Sequence, residues 1–110
     1  MAQMKKPVRG SSSGRPIMAA LDLLGRRWSL RILWELRATP LTFRALQDAC
    51  GGLSPSVLQQ RLNDLREAGL VLHDGSSGYG LTEAARSLQP ILLTLNDWAE
   101  GWAAAETPAG

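Results

Sequence analysis

The residues best equipped for chemistry lie in the stretch PSVLQQRLNDLRE, which follows Ser54. Ser56, Gln59, Gln60 and Asn63 carry hydroxyl or amide groups, each able to donate and to accept a hydrogen bond. At about 100° per residue these four fall on one side of a helix, with Glu67 beside them and Arg66 at the margin. Leu58, Leu62 and Leu65 fall on the opposite side. A solvated helix usually spends its outer face on Lys and Glu. A face of Ser, Gln, Gln and Asn suits base edges in a major groove instead, where one Gln amide meets adenine N6 and N7 together. Those four are the predicted base contacts. Phosphate contacts position a protein on a duplex without reading it. The predicted set for that role is Arg26, Arg27, Arg44, Ser54, Arg61, Arg66 and His73. Arg61 also lies close to the apolar face, so an internal ion pair is open to it.

Other chemistries find little here. The chain has one His and one Cys, which leaves no spaced ligand set for a metal. Its carboxylates are scattered along helix surfaces without pairing. No catalytic residue, metal or cofactor is expected, and the chain does not read as an enzyme.

The elements that must hold the polar face follow from punctuation. Ser54 suits the N-cap, Pro55 the first helical position and Gly69 the C′ position, so a helix is predicted over about 54–68. LTFRALQDAC forms a shorter helix before it, joined by the tight link GGLS. Two helices so joined make a helix-turn-helix, with the second helix in the groove. Leu70 to His73 alternates as a strand, DGSSG turns, and Tyr79 to Leu81 returns. A hairpin placed there makes a wing. The fold class is therefore mainly α with a small β-hairpin wing, a winged helix-turn-helix.

Upstream, a first helix runs from Pro16 to Gly25, and RRWSLRILWELR forms a second, broadly apolar one. Thr39-Pro40 ends it, and Leu41 to Phe43 offers a small extra strand. Thr82 can cap the last helix, which Pro90 kinks or divides. Along that helix Leu88, Ile91, Leu92, Leu95, Trp98 and Trp102 recur at spacings of three and four. This stripe is more than a small domain buries on itself, and with Ile17 and Leu21 it is read as a dimer interface.

At 110 residues the chain holds one core. Residues 1–14 are expected to be a disordered basic tail, 15–105 the domain, and 106–110 a second tail. With 12 Lys and Arg against 10 Asp and Glu, the net charge of +2 is too small by itself to argue for nucleic acid. Placement matters more, because the arginines cluster around the helix-turn-helix and thin out after Arg66. There is no transmembrane span or signal-peptide core, and the single cysteine fits a reducing compartment, so a cytoplasmic protein is expected.

The motifs ALDLLGRRWSLRILWEL, FRAL, LSPSVLQQRLNDLREAGLV and LTEAARSL together resemble the HxlR-type winged-helix regulators, relatives of the MarR group. The likeness spans about residues 16 to 102. It implies a homodimeric, sequence-specific transcriptional regulator bound to double-stranded DNA, with the helix from Ser54 in the major groove and terminal helices forming the dimer. The chain departs from that pattern in three places. Redox-sensing members open with Cys-Pro-x-x-x-x-Leu-Asp, whereas Arg15 precedes Pro16 here, and Cys50 is expected to be buried and inert. The wing HDGSSGYG offers only His73 and backbone groups. Arg44 replaces a residue that is often small.

Two alternatives stay open. A winged helix that has lost DNA and kept its interaction surface would fit the low net charge and short wing. Trp28, Trp34, Trp98 and Trp102 are either core and interface or the lining of a small-molecule effector pocket at the dimer seam.

Overall fold

The computed structural model describes residues 15–106. The expected tails at 1–14 and 106–110 lie outside that range, except that Glu106 closes the last helix. The order of elements is α1 (Pro16–Leu24), α2 (Ser29–Glu35), α3 (Phe43–Ala49), α4 (Pro55–Glu67), β1 (Val71–Asp74), β2 (Gly78–Leu81), α5 (Glu83–Arg86) and α6 (Gln89–Glu106). This is the winged helix-turn-helix foreseen from the sequence.

The caps explain the boundaries. Ser54 Oγ accepts from the Val57 N–H at 3.3 Å, and Pro55 occupies the first turn of α4. At the other end Gly69 adopts φ +79°, and the Leu70 N–H reaches back to the Leu65 carbonyl at 2.9 Å. That left-handed residue turns the chain into the wing. Thr42 caps α3 and Thr82 caps α5 in the same way as Ser54. Pro90 divides the C-terminal segment and sits in the first turn of α6, where its missing N–H costs nothing.

One core lies under α3, α4 and the wing. Ile32 and Leu33 of α2 with its C-cap Leu36 meet Leu46 of α3 with its C-cap Cys50, the three leucines of α4, and Val71, Tyr79 and Leu81 of the wing. Leu58, Leu62 and Leu65 are completely enclosed. Each such leucine contributes roughly 1.5–3 kcal/mol of transfer free energy, which fixes the rotation of α4 about its axis. The wing is an antiparallel pair in the register Val71↔Leu81 to Asp74↔Gly78. Leu41 joins it through an isolated bridge to Tyr79, with paired bonds of 2.9 and 2.7 Å. The extra strand is thus one residue long, because Thr42 is already the α3 cap.

Three expectations need correction. The second helix begins at Ser29, since Arg26 to Trp28 form a turn and Trp28 caps α2 at φ +80°. Leu92 is buried in the protomer's own core and Leu88 packs against that core, so neither lies on the exposed stripe. The break before α6 rotates Leu92 inward and leaves Ile91, Leu95, Trp98 and Trp102 outside.

Candidate nucleic-acid interface

The outward face of α4 is set by the leucines beneath it. Ser56, Gln60 and Asn63 are exposed, and Gln59 is half-buried at the edge nearer the wing. Val57, at 37% exposure, also stands on this helix and was not anticipated, since apolar residues read as core in a linear pattern. An exposed valine among amides can meet a thymine methyl. The acidic residues Asp64 and Glu67 both fall in the C-terminal half. Phosphates therefore meet the N-terminal half more favourably.

The amides are tied along the helix. Gln59 Nε2 donates to Asn63 Oδ1 at 3.0 Å, and Gln60 Nε2 donates to Asp64 Oδ1 at 3.2 Å. Such neighbours four residues apart are worth only a few tenths of a kcal/mol each, but they bias side-chain direction.

The cations divide into two groups. Arg26 and Arg61 both face Asp64 Oδ2, at 3.2 and 3.1 Å. Arg61 is only 21% exposed, and its Nε–H is not aimed along the 3.1 Å contact, so this is an ion pair without a hydrogen bond. Both guanidiniums, expected on phosphate, thus already have a carboxylate partner within the protomer. For Arg61 the internal pair is the outcome. Arg27, Arg44 and Arg66 are exposed. Arg27 stands 5.7 Å from the Trp28 ring, and Arg44 projects from α3. Arg66 and His73 line a shallow hollow between α4 and the wing. Ser54 spends its hydroxyl on the cap. Two arginines serve the scaffold: Arg31 donates to the Ala49 carbonyl at the end of α3, and Arg37 stacks 3.9 Å from the Trp34 ring.

The wing is not a cationic finger. His73 is exposed and stacks on Tyr79 with ring centroids 4.3 Å apart. At the tip Asp74 Oδ1 accepts from the Ser76 N–H at 3.0 Å and from the Ser76 hydroxyl at 3.2 Å. Those bonds, the backbone one foremost, hold the Asp74 carboxyl below the usual carboxylate range. A negative tip repels phosphate.

Residues 23–107 match the HxlR-like helix-turn-helix family. The chain belongs to that family. An HTH-type transcriptional regulator of Bacillus subtilis, YvaP, is 33% identical over 89 residues, covering 76% of this chain and 82% of the relative. A solved structure described as a possible HxlR family transcriptional factor, from Thermoplasma volcanium, is 30% identical with a TM-score of 0.62, covering 78% of this chain and 86% of that one. The quinone-bound YodB of B. subtilis is 28% identical with a TM-score of 0.71, covering 77% and 94%.

In this HxlR-like chain the single cysteine is enclosed. Cys50 is 2% exposed, and burial pushes its thiol above the ordinary range despite the opposing pull of nearby Arg31. The four tryptophans do not converge on one cavity within the HxlR-like protomer. Trp34 lies beside Arg37 and Gln89, while Trp98 and Trp102 stack together far along α6, with centroids 5.5 Å apart. A groove of about 600 Å³ between α1, the end of α4, α5 and the start of α6 has no tryptophan in its walls. Among the described residues no cluster of His, Cys, Asp or Glu could hold a metal, and no helix is long and apolar enough to cross a membrane.

Proposed function

We propose that this HxlR-like chain is a cytoplasmic, sequence-specific DNA-binding transcriptional regulator, not an enzyme, that acts as a homodimer with α4 of each protomer in the major groove. The observation that carries this reading is the outward face of α4, where Ser56, Val57, Gln59, Gln60 and Asn63 stand over a fully enclosed leucine triad. Arg44 on one side and Arg66 with His73 on the other flank that face and suit phosphate contact. Dimerisation is supported by the stripe of Ile91, Leu95, Trp98 and Trp102 on α6, with Ile17 and Leu21 on α1, each at least 45% exposed. Two recognition helices in such a dimer lie roughly 34 Å apart, about one turn of duplex.

The second reading, a protein-interaction module that has lost DNA, draws support from the Asp74 carboxylate at the wing tip and the small net charge. Selecting bound duplexes from a random pool at moderate salt separates the two. A regulator enriches a two-fold symmetric site. An interaction module enriches none.

A further inference from the structure

The tie between Gln60 and Asp64 has a polarity that the tie between Gln59 and Asn63 lacks. Gln59 and Asn63 are both amides, so the pair can turn over together and keep its hydrogen bond. Asp64 is a carboxylate and only accepts. Its bond at 3.2 Å therefore requires the nitrogen of Gln60 to face Asp64 and the amide oxygen to face away. Asp64 is itself immobilised. Its side chain is 12% exposed, and its other oxygen lies between Arg61 of the same helix and Arg26 of the turn between α1 and α2. The amide of Gln60 is thus referenced to two elements of the fold.

Resting on the placement of α4 in the major groove, we propose that Asp64 is a positioning residue that sets specificity by making Gln60 present an acceptor, with one remaining N–H beside it, to the base opposite. Adenine offers a donor at N6 and an acceptor at N7, which match that oxygen and N–H together. Guanine offers two acceptors, O6 and N7. An amide with one N–H committed to Asp64 and its oxygen turned outward meets guanine O6 with like polarity. Cytosine offers a donor at N4 without an acceptor beside it, so only adenine satisfies both groups of the Gln60 amide, and guanine is rejected.

The test compares sites selected from random duplexes by the full chain and by Gln60→Ala, Asp64→Asn and Asp64→Glu. Gln60→Ala identifies the base pair, as the one position at which preference is lost. At that pair the unaltered chain prefers adenine over guanine by about tenfold or more. Asn can bond Gln60 through either end, so Asp64→Asn brings the preference within about threefold while other positions keep theirs. Asp64→Glu restores a carboxylate acceptor and with it the adenine preference. A purely structural role for Asp64 would lower affinity evenly across all positions. Because removing a carboxylate between two guanidiniums can unfold the chain, the unaltered protein is also tested on a duplex in which purine replaces that adenine. Loss of the 6-amino donor weakens binding about tenfold if the Gln60 oxygen reads it. Guanine at the Gln60 position, an adenine preference undiminished in Asp64→Asn, full affinity for the purine duplex, or no effect of Gln60→Ala at any position overturns the proposal. If the unaltered chain enriches no duplex, the placement of α4 falls first and this inference with it.

Discussion

Replacing Trp98 with Ala tests the proposed dimer where the structure puts most of its exposed apolar surface. Trp98 is 60% exposed and stacks on Trp102, which is 54% exposed. A tryptophan buries on the order of 200 Å² when covered, so roughly 100 Å² of this ring awaits a partner. At about 25 cal/mol per Å² the loss is ~2.5 kcal/mol per protomer, and two-fold symmetry counts it twice. The dimer dissociation constant should rise by roughly three and a half decades. Sedimentation equilibrium over a concentration series reads this directly, with far-UV circular dichroism confirming the fold. Leu93 is the control: it is 53% exposed but lies on the other side of α6, beside Trp34 and Gln89. Leu93→Ala should leave association unchanged. Equal dissociation constants for Trp98→Ala and the unaltered chain would refute the reasoning, as would an unaltered chain that stays monomeric at micromolar concentration.

Further outcomes follow from other contacts. Gly78 has φ +96°, and a methyl there would run into the Leu41 carbonyl, so Gly78→Ala should cost about 1–3 kcal/mol in urea unfolding. The exposed arginines of the expected phosphate set (Arg27, Arg44 and Arg66), doubled in the dimer, predict a log–log salt slope of about −5 for DNA binding. Arg44→Ala should lower its magnitude by about 2, while Arg61→Ala leaves it unchanged; the reverse would place Arg61 on phosphate. The raised thiol of Cys50 keeps its proton in the folded chain after the unfolded chain has lost it. Its contribution is full below the unfolded value and is lost as pH rises, so melting temperature should fall above about pH 8.5, and Cys50→Ala should remove that slope. Asp74 shows the opposite sign: its grip on the Ser76 N–H persists at neutral pH and is lost as pH falls below the usual carboxylate range. The Ser76 amide resonance should shift there.

Much of this arrangement was legible in the sequence, because helix ends obey local rules. Ser54, Pro55 and Gly69 bound α4, and the leucine spacing fixes which side faces outward, without reference to anything distant. The Arg26–Asp64 pair was not legible, since it joins residues that only the packed fold brings together. That pair gives Arg26, a member of the expected phosphate set, an internal carboxylate partner that it shares with Arg61. The choice between Ile91 and Leu92 was equally hidden, because both fit a three-to-four spacing and only the path through the α5–α6 break selects one. Nor does any residue preference place a tryptophan in the left-handed region. Trp28 is there because the turn after Gly25 must deliver α2 into the core.

The last helix is rooted at one end only. Leu92 is its last buried residue, and Gln89 is fastened nearby to the Arg37 carbonyl at 2.8 Å. Beyond that root roughly 20 Å of α6 runs on, at about 1.5 Å per residue. Over that length a tilt of about 6° at Gln89 carries the far end ~2 Å, as in a lever. Two such levers crossing in a pair would set the gap between the reading heads. Substitutions at the fulcrum would then retune which half-site spacing is accepted while every base-facing side chain stays as it is.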